Sequence, residues 1–230
     1  MAYLIYFLPA LILSCIASFT VKTRFKKYNR VASTNQIRAV DAAQRLLNVN
    51  NIVDVRIESV RGYLSDHYDP RTKTLRLSEP VYHSTSLAAI GAACHEVGHA
   101  LQHAQGYAPL QLRSNLVPIT SLASRLGMPL ILGGAVFVSS APLLGRGALL
   151  AGVALFGLTV LFALITLPVE WDASARSKKQ MVSAGILDKR EEEDAGKVLN
   201  AAFLTYLGAA VGSVMTLLYY LNRLGLIGRR

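Results

Sequence analysis

One stretch of the sequence carries most of the information about the fold: Thr85-Ser-Leu-Ala-Ala-Ile-Gly-Ala-Ala-Cys-His-Glu-Val-Gly-His-Ala-Leu-Gln-His-Ala-Gln105. Its many alanines, its lack of proline and the serine at its start predict one helix. His95 and His99 stand four residues apart, so a helix projects both imidazoles from one face. That separation suits two nitrogen ligands of a tetrahedral zinc ion. Glu96 is placed to take a proton from an activated water, so this helix predicts a zinc hydrolase.

A catalytic zinc ion needs a third protein ligand and an open position for water. The metzincin pattern would put a glycine at position 102 and a histidine at position 105, but the chain has Gln102 and Gln105, which excludes that subclass. His103, one turn beyond His99, is assigned to support of the helix end. The remaining solution is a glutamate from a second helix.

Glu170, in the segment Glu170-Trp-Asp-Ala-Ser174, is the candidate for that glutamate. It follows Pro168, which predicts that a helix begins there, and the expected topology places it on the same side of the membrane as the histidines. The alternative is that Glu170 is an interfacial residue beside Trp171, because tryptophan favours membrane boundaries.

The composition is that of a membrane protein. Of 230 residues, 52% are hydrophobic but only 8% are aromatic, so aliphatic residues and alanine fill the apolar runs, as in lipid-facing helices. Runs long enough to cross the bilayer are residues 3–21, 148–168 and 201–221, the last with Gly208-x-x-x-Gly212. Residues 126–141 form a shorter fourth span with Pro129 inside, and their alternative is a re-entrant segment.

Basic residues next to the first span set the predicted orientation. Five of them follow that span: Lys22, Arg24, Lys26, Lys27 and Arg30. Because none precedes it, the span is predicted to be a retained anchor rather than a cleaved signal peptide. Basic loops stay in the cytoplasm, so residues 22 to about 125 and Glu170 are predicted inside. The last span would leave Arg223, Arg229 and Arg230 outside, against this bias.

The polar segment predicts a small α+β domain. Residues 34–48 have apolar side chains at helical spacing, with Thr34 or Ser33 as the cap. Residues 53–58 and 72–77 alternate in polarity around a turn-rich stretch, which predicts a β-hairpin. The acidic run at 191–194 predicts the start of the helix that leads into the last span.

The predicted fold class is therefore mainly α and membrane-embedded, with about four transmembrane helices and a small α+β zincin-like domain that contains a β-hairpin and the helix of His95 and His99. The predicted domains are an N-terminal anchor (1–21), a cytoplasmic zincin-like domain (22–115), a transmembrane hairpin (116–168), a third-ligand helix with an acidic connector (169–200), and a last transmembrane helix with its tail (201–230).

The formal charge of +10 points to anionic lipid rather than nucleic acid as a partner. Lysines and arginines cluster beside the apolar runs and form no basic patch with interleaved aromatic residues. The two cysteines, Cys15 and Cys94, cannot build a disulfide framework and are both expected to be reduced.

Four motifs carry a resemblance that covers most of the chain: Leu64-Ser-Asp-His-Tyr-Asp-Pro-Arg-Thr72, Leu77-Ser-Glu-Pro-Val-Tyr82, Ala89-Ile-Gly-Ala-Ala-Cys-His-Glu-Val-Gly-His-Ala100 and Pro168-Val-Glu-Trp-Asp-Ala-Ser174. With them the chain resembles the YugP-like zinc metallopeptidases of the bacterial cell membrane. The resemblance implies a multi-pass protein with one zinc ion on His95, His99 and Glu170 and with Glu96 as the catalytic base, a gluzincin-like arrangement. The last motif is also similar to the Glu-x-x-Ala-Asp element of HtpX-type proteases. Ser174 replaces its aspartate, which predicts a weaker supporting contact.

Two further residues are candidate catalytic groups. His67 and Tyr68 are placed to donate hydrogen bonds to an oxyanion opposite the metal, and their alternative role is turn chemistry in the hairpin. The strand at residues 73–78 is a candidate edge for an extended peptide.

The function hypothesis is a zinc-dependent membrane metalloendopeptidase. It hydrolyses peptide bonds of membrane or membrane-proximal proteins on the cytoplasmic side through a metal-activated water. The alternative is a non-catalytic zinc-binding membrane scaffold that binds partners. The presence of Glu96, the predicted base, argues against this alternative. A protease with its site inside a span is disfavoured, since residues 87–94 are too short an apolar run to cross. The oligomeric state and the substrate are left open.

Overall fold

The structure of the protein, a computed structural model, describes residues 2–62 and 65–227. Within these residues the elements are, in order, α1 (Ala2–Tyr28), α2 (Ala39–Val49), β1 (Arg56–Val60), β2 (His67–Asp69), β3 (Thr74–Ser78), α3 (Glu79–Tyr82), α4 (Leu87–Ala104), α5 (Ala108–Phe137), α6 (Pro142–Ser183) and α7 (Lys189–Arg223). The predicted fold class, mainly helical with a small α+β part, is confirmed. Arg229 and Arg230, predicted on the outer side, lie outside the described residues.

The chain divides into two compact units. We call the first the membrane unit; it comprises Met1–Ile16, Leu112–Leu167 and Tyr206–Arg230. The second, the polar unit, comprises Ala17–Gln111 and Pro168–Thr205. The polar unit is therefore assembled from two segments that are far apart in the sequence, and both carry predicted site residues.

Among the described residues, four helices are long and apolar enough to cross a membrane: α1, α5, α6 and α7. The predicted spans 3–21, 148–168 and 201–221 lie within α1, α6 and α7. Most of the weaker segment, 126–141, belongs to α5, a helix of 30 residues that contains Pro118 and Pro129. A helix of that length extends about 45 Å, so α5 is long enough to span although the segment alone is not.

Small residues bring α7 close to α1 within the membrane unit. A Cβ atom placed on Gly208 would lie 3.4 Å from Cα of Ser14, and one on Gly212 would lie 3.7 Å from Cβ of Ala10. The Gly-x-x-x-Gly spacing thus faces a neighbouring helix, as such pairs do in lipid.

The sheet of the polar unit has its strands in the order β1-β3-β2. β2 and β3 form an antiparallel hairpin in which Tyr68 faces Leu75, whereas β1 runs parallel to β3. The predicted pairing of residues 53–58 with 72–77 as a hairpin is wrong, because the connection between them crosses over and supplies β2 on the far side of β3. β3 is the central strand and both its edges are paired, so the hypothesis that residues 73–78 offer an edge to a peptide is wrong as well.

The core of the polar unit lies between α2, α4 and the inner face of the sheet. Leu46 and Leu47 of α2, Leu75 and Leu77 of β3 and Ile90 of α4 are all fully buried. Each such side chain contributes roughly 1.5–3 kcal/mol relative to an exposed one. This packing fixes α4, the helix that carries both histidines, against the rest of the unit.

Two helix starts show how local hydrogen bonds set the boundaries. α2 begins at Ala39 rather than near Thr34, because Gln36 has a positive φ of 50° that a helix cannot contain; the N–H and hydroxyl of Thr34 donate instead to Glu191. The acidic run opens α7, as predicted. The N–H of Glu191 in this run donates to the carboxylate of Asp188, directly before the helix, and the N–H of Asp188 donates to Glu191. This reciprocal pair is a capping box.

α6 is one continuous helix with Pro168 inside it. The prediction that a new helix begins after Pro168 is therefore wrong. A proline removes one main-chain hydrogen bond, but Val169 and Ala173, which follow it, are fully buried. Their burial favours continuation of the helix, and Glu170 consequently projects from the interior of α6, in its C-terminal third.

Candidate metal centre

His95 and His99 of α4 and Glu170 of α6 converge at one point in the polar unit. Nε2 of His95 lies 3.1 Å and Nε2 of His99 lies 3.6 Å from Oε2 of Glu170. The three possible ligand atoms all lie within 4.8 Å of one another. Glu170 is only 2% exposed, so its carboxylate faces the two imidazoles and not solvent. The residues predicted as metal ligands are thus brought together from segments 75 residues apart.

Gly98 allows the two helices to approach closely. A Cβ atom at this position would overlap the carbonyl oxygen of Ala173 on α6. Ala173 is itself fully buried, and its small side chain suits the same contact. The glycine between the two histidines is therefore required by the main chain of the helix that carries Glu170.

The donor set fits a zinc ion. An isolated carboxylate is costly to bury, and here two imidazoles meet it. Two nitrogen donors and one carboxylate oxygen are the protein ligands of one class of catalytic zinc site, which keeps a further position open. His95, His99 and Glu170 are accordingly the residues that would hold the ion.

The other ring nitrogen of each histidine also has a polar neighbour. Nδ1 of His95 lies 3.1 Å from the hydroxyl oxygen of Ser174, and Nδ1 of His99 lies 3.0 Å from Oε1 of Gln102. Such contacts orient an imidazole for metal binding through Nε2. In the sequence, Gln102 served only to exclude the metzincin pattern. The signal that could have found this contact is its position three residues after His99, on the same face of α4.

Glu96 is half-buried and is held by the main chain of β2. Its Oε2 accepts a hydrogen bond of 2.9 Å from the N–H of Tyr68. Asp66, just before β2, accepts a hydrogen bond of 2.8 Å from the N–H of Ser78. Burial raises the pKa of the Asp66 carboxyl above its usual value, against the opposing effect of the hydrogen bonds from Ser78. Strand β2 is thereby fastened on one side to Ser78 at the end of β3 and on the other to Glu96.

The side chains of His67 and Tyr68 lie in different surroundings. The hydroxyl of Tyr68 lies 2.9 Å from Nδ1 of His103, and burial raises the pKa of Tyr68 to about 12, so its phenol is protonated and able to donate. His67 is exposed, and its Nδ1 lies 2.8 Å from the carbonyl oxygen of Ser65. Their role as oxyanion donors stays a prediction. His103 contacts Tyr68, which adds a partner to its predicted role at the helix end.

Cys94 precedes the first histidine but has no part in this centre. It is completely buried in the core, and burial raises the pKa of its thiol to about 12. A protonated thiol is a poor metal ligand. Cys15 is a free and exposed cysteine of α1.

Comparison with known proteins agrees with this geometry. Residues 3–225 match the model of the family described as "Putative neutral zinc metallopeptidase". The chain is also 44% identical over 220 residues to a Bacillus subtilis (strain 168) protein named "Putative membrane protease YugP", covering 96% of this chain and 95% of the relative. No solved structure matches. From the family match over nearly its whole length and the converging His95, His99 and Glu170, we conclude that this chain, with its four candidate membrane-spanning helices, belongs to the neutral zinc metallopeptidase family and is a zinc metallopeptidase.

Proposed function

We propose that the protein is a membrane endopeptidase that cleaves peptide bonds of membrane or membrane-proximal proteins, with His95, His99 and Glu170 holding one zinc ion and Glu96 acting as general base. The observation that carries the proposal is the convergence of the two imidazoles and the buried Glu170 carboxylate, together with the position of Glu96 directly after His95 in the sequence.

In this mechanism each residue has a defined task. A zinc ion held by His95, His99 and Glu170 would supply the Lewis-acid chemistry that makes water nucleophilic at neutral pH. Glu96 takes the proton of the attacking water and passes it to the leaving amine. The N–H of Tyr68 already donates to Oε2 of Glu96, so we assign the proton to Oε1, which does not share that donor. The hydroxyl of Tyr68 and the imidazole of His67 are proposed donors to the oxyanion of the substrate.

The proposed substrates follow from the membrane helices. Glu170 and the apolar residues of the third candidate span belong to the same helix, α6, which favours substrates at or near the membrane. The basic residues of α1, among them Lys22, Lys26 and Lys27, favour a cytoplasmic site and contact with anionic lipid headgroups.

The test is the Glu96→Gln variant of the purified full-length protein. We expect it to retain about one zinc ion per chain while its cleavage of a fluorogenic peptide mixture falls by at least about 100-fold, the lower range for loss of a general base. Glu193→Gln is the matched control, since Glu193 is an exposed glutamate of α7 outside the site. Unchanged cleavage by Glu96→Gln would exclude the proposed base, and a wild-type protein that binds zinc without cleaving any peptide or membrane protein would favour the scaffold alternative.

A comparison of membrane proteins from cells with the native protein and cells with the Glu96→Gln variant would identify substrates. We expect fragments of membrane or membrane-proximal proteins only with the native protein. Fragments derived solely from soluble proteins would contradict the proposed substrate class.

A further inference from the structure

Gln102 is fully buried and contacts three groups at once. Its Oε1 lies 3.0 Å from Nδ1 of His99. Its Nε2 donates hydrogen bonds of 2.8 Å to the carbonyl oxygen of Val169 and of 2.8 Å to the carboxylate of Asp172, both on α6. This one amide therefore connects a candidate ligand on α4 to the helix that supplies Glu170.

These contacts fix the orientation of the amide. A carbonyl oxygen and a carboxylate only accept hydrogen bonds, so the NH2 group of Gln102 must face Val169 and Asp172. Its oxygen must then face His99, and an oxygen that accepts requires a proton on Nδ1 of His99. The lone pair of that imidazole is consequently on Nε2, the nitrogen that points toward Glu170.

We infer that Gln102 is a positioning residue that makes His99 bind the metal through Nε2, with its amide oriented by Val169 and Asp172 of α6. The inference rests on the zinc site of the proposed function. Asp172 is paired with Arg176, which in turn contacts Gln105 at the end of α4, so the acceptor for the Gln102 amide is held in place from both helices.

The contact at Nδ1 of His95 restrains its imidazole less. Its Nδ1 lies next to the hydroxyl of Ser174, and a hydroxyl both donates and accepts and rotates to suit its partner. It is therefore the glutamine, and not the serine, that selects one form of a ligand imidazole.

Two variants separate this role from simple helix packing. Gln102→Met keeps the length of the side chain but removes the strong acceptor for His99. Gln102→Glu keeps that acceptor but loses both donations to α6 and puts a carboxylate next to Asp172. A positioning role thus predicts that zinc binding is weakened by Gln102→Met and largely rescued by Gln102→Glu. A role limited to joining α4 to α6 predicts that Gln102→Glu is at least as damaging as Gln102→Met.

The readout is the zinc dissociation constant of the purified full-length protein, measured by competition with a chelator. We expect Gln102→Met to bind zinc about 10- to 100-fold more weakly than wild type, the range for loss of a group that supports a metal ligand, and Gln102→Glu to fall within a few-fold of wild type. Thermal unfolding of the metal-free proteins controls for folding. Wild-type affinity in Gln102→Met, or a weaker affinity in folded Gln102→Glu than in Gln102→Met, would overturn the inference.

A second measurement on the wild type covers the case in which either variant fails to fold. In zinc-loaded protein labelled with 15N-histidine, we expect the proton of His99 on Nδ1, and a proton on Nε2 would overturn the inference. A wild-type protein that binds no zinc would instead contradict the proposed metal site itself, so the two failures are distinguishable.

Discussion

Gly98 occupies the position between the two histidines that faces the neighbouring helix. The main chain of Ala173 lies against it, so any side chain there must displace either α4 or α6. Both helices contribute buried side chains to the same core, Ile90 from α4 and Met181 from α6, so displacement of either helix moves the two histidines relative to Glu170. The geometry of the three ligand residues thus depends on a residue that binds nothing.

We therefore expect Gly98→Ala to lose zinc affinity, by at least about tenfold, and to lower the free energy of unfolding by about 1–3 kcal/mol, as for an overpacked interior. Gly157→Ala is the control, because no atom lies within 4 Å of a Cβ at that helical glycine. Chelator competition and thermal unfolding measure both effects. A Gly98→Ala protein with wild-type affinity and stability would show that the two helices need not approach so closely.

At the scale of elements, the start of α7 makes a separate prediction. The capping box joins Asp188, directly before α7, to Glu191 in its first turn. We expect Asp188→Ala to lower the free energy of unfolding by about 1 kcal/mol, the usual cost of losing an N-cap. Glu193→Ala, on an exposed position of the same helix, is the control. Equal unfolding midpoints for the two variants in denaturant would contradict a stabilising cap.

The elements that sequence reasoning placed well are those with long and regular patterns. Long patterns run through the apolar helices α1, α6 and α7 and through the alanine-rich α4. Each pattern covers several helical turns, so a few ambiguous residues do not change the prediction of a helix. The sheet was harder, because alternation in β1 and β3 has the same appearance in parallel and antiparallel pairs. β2 has three residues and lies in a turn-rich segment, so its sequence carried no strand signal. Continuity of α6 through Pro168 depends on burial that the local sequence does not reveal.

The candidate site divides in the same way. The spacing of His95 and His99 is a property of one helix, and Glu170 could be found by elimination. The contacts of Gln102 with α6, and the hydrogen bond from the N–H of Tyr68 to Glu96, exist only because separate elements meet in the folded chain. Contacts of this kind have no local motif, which is why they were missed.

At the scale of the whole molecule, an ion in the candidate metal centre would tie together the two segments of the polar unit. His95 and His99 lie in the first segment and Glu170 in the second. An ion that binds only the folded state stabilises it by mass action, by about 4 kcal/mol at a thousandfold excess over its dissociation constant. Zinc should therefore act on the folding of the unit as well as on its chemistry.

We expect a strong chelator to lower the thermal unfolding temperature of the wild-type protein and added zinc to restore it. Glu170→Gln should lose most of this response, because it removes the ligand from the second segment, whereas Glu193→Gln should keep it. Differential scanning calorimetry in detergent measures the shift. A chelator response in Glu170→Gln as large as that of the wild type would show that the ion binds elsewhere.

The hydrogen bond from Tyr68 to Glu96 comes from the main chain, so it survives replacement of the side chain at position 68. The proposed oxyanion donor and the restraint on the proposed base are therefore separable parts of one residue, and the donor can be removed while Glu96 keeps its orientation. Proline is the exception, because it has no N–H to donate.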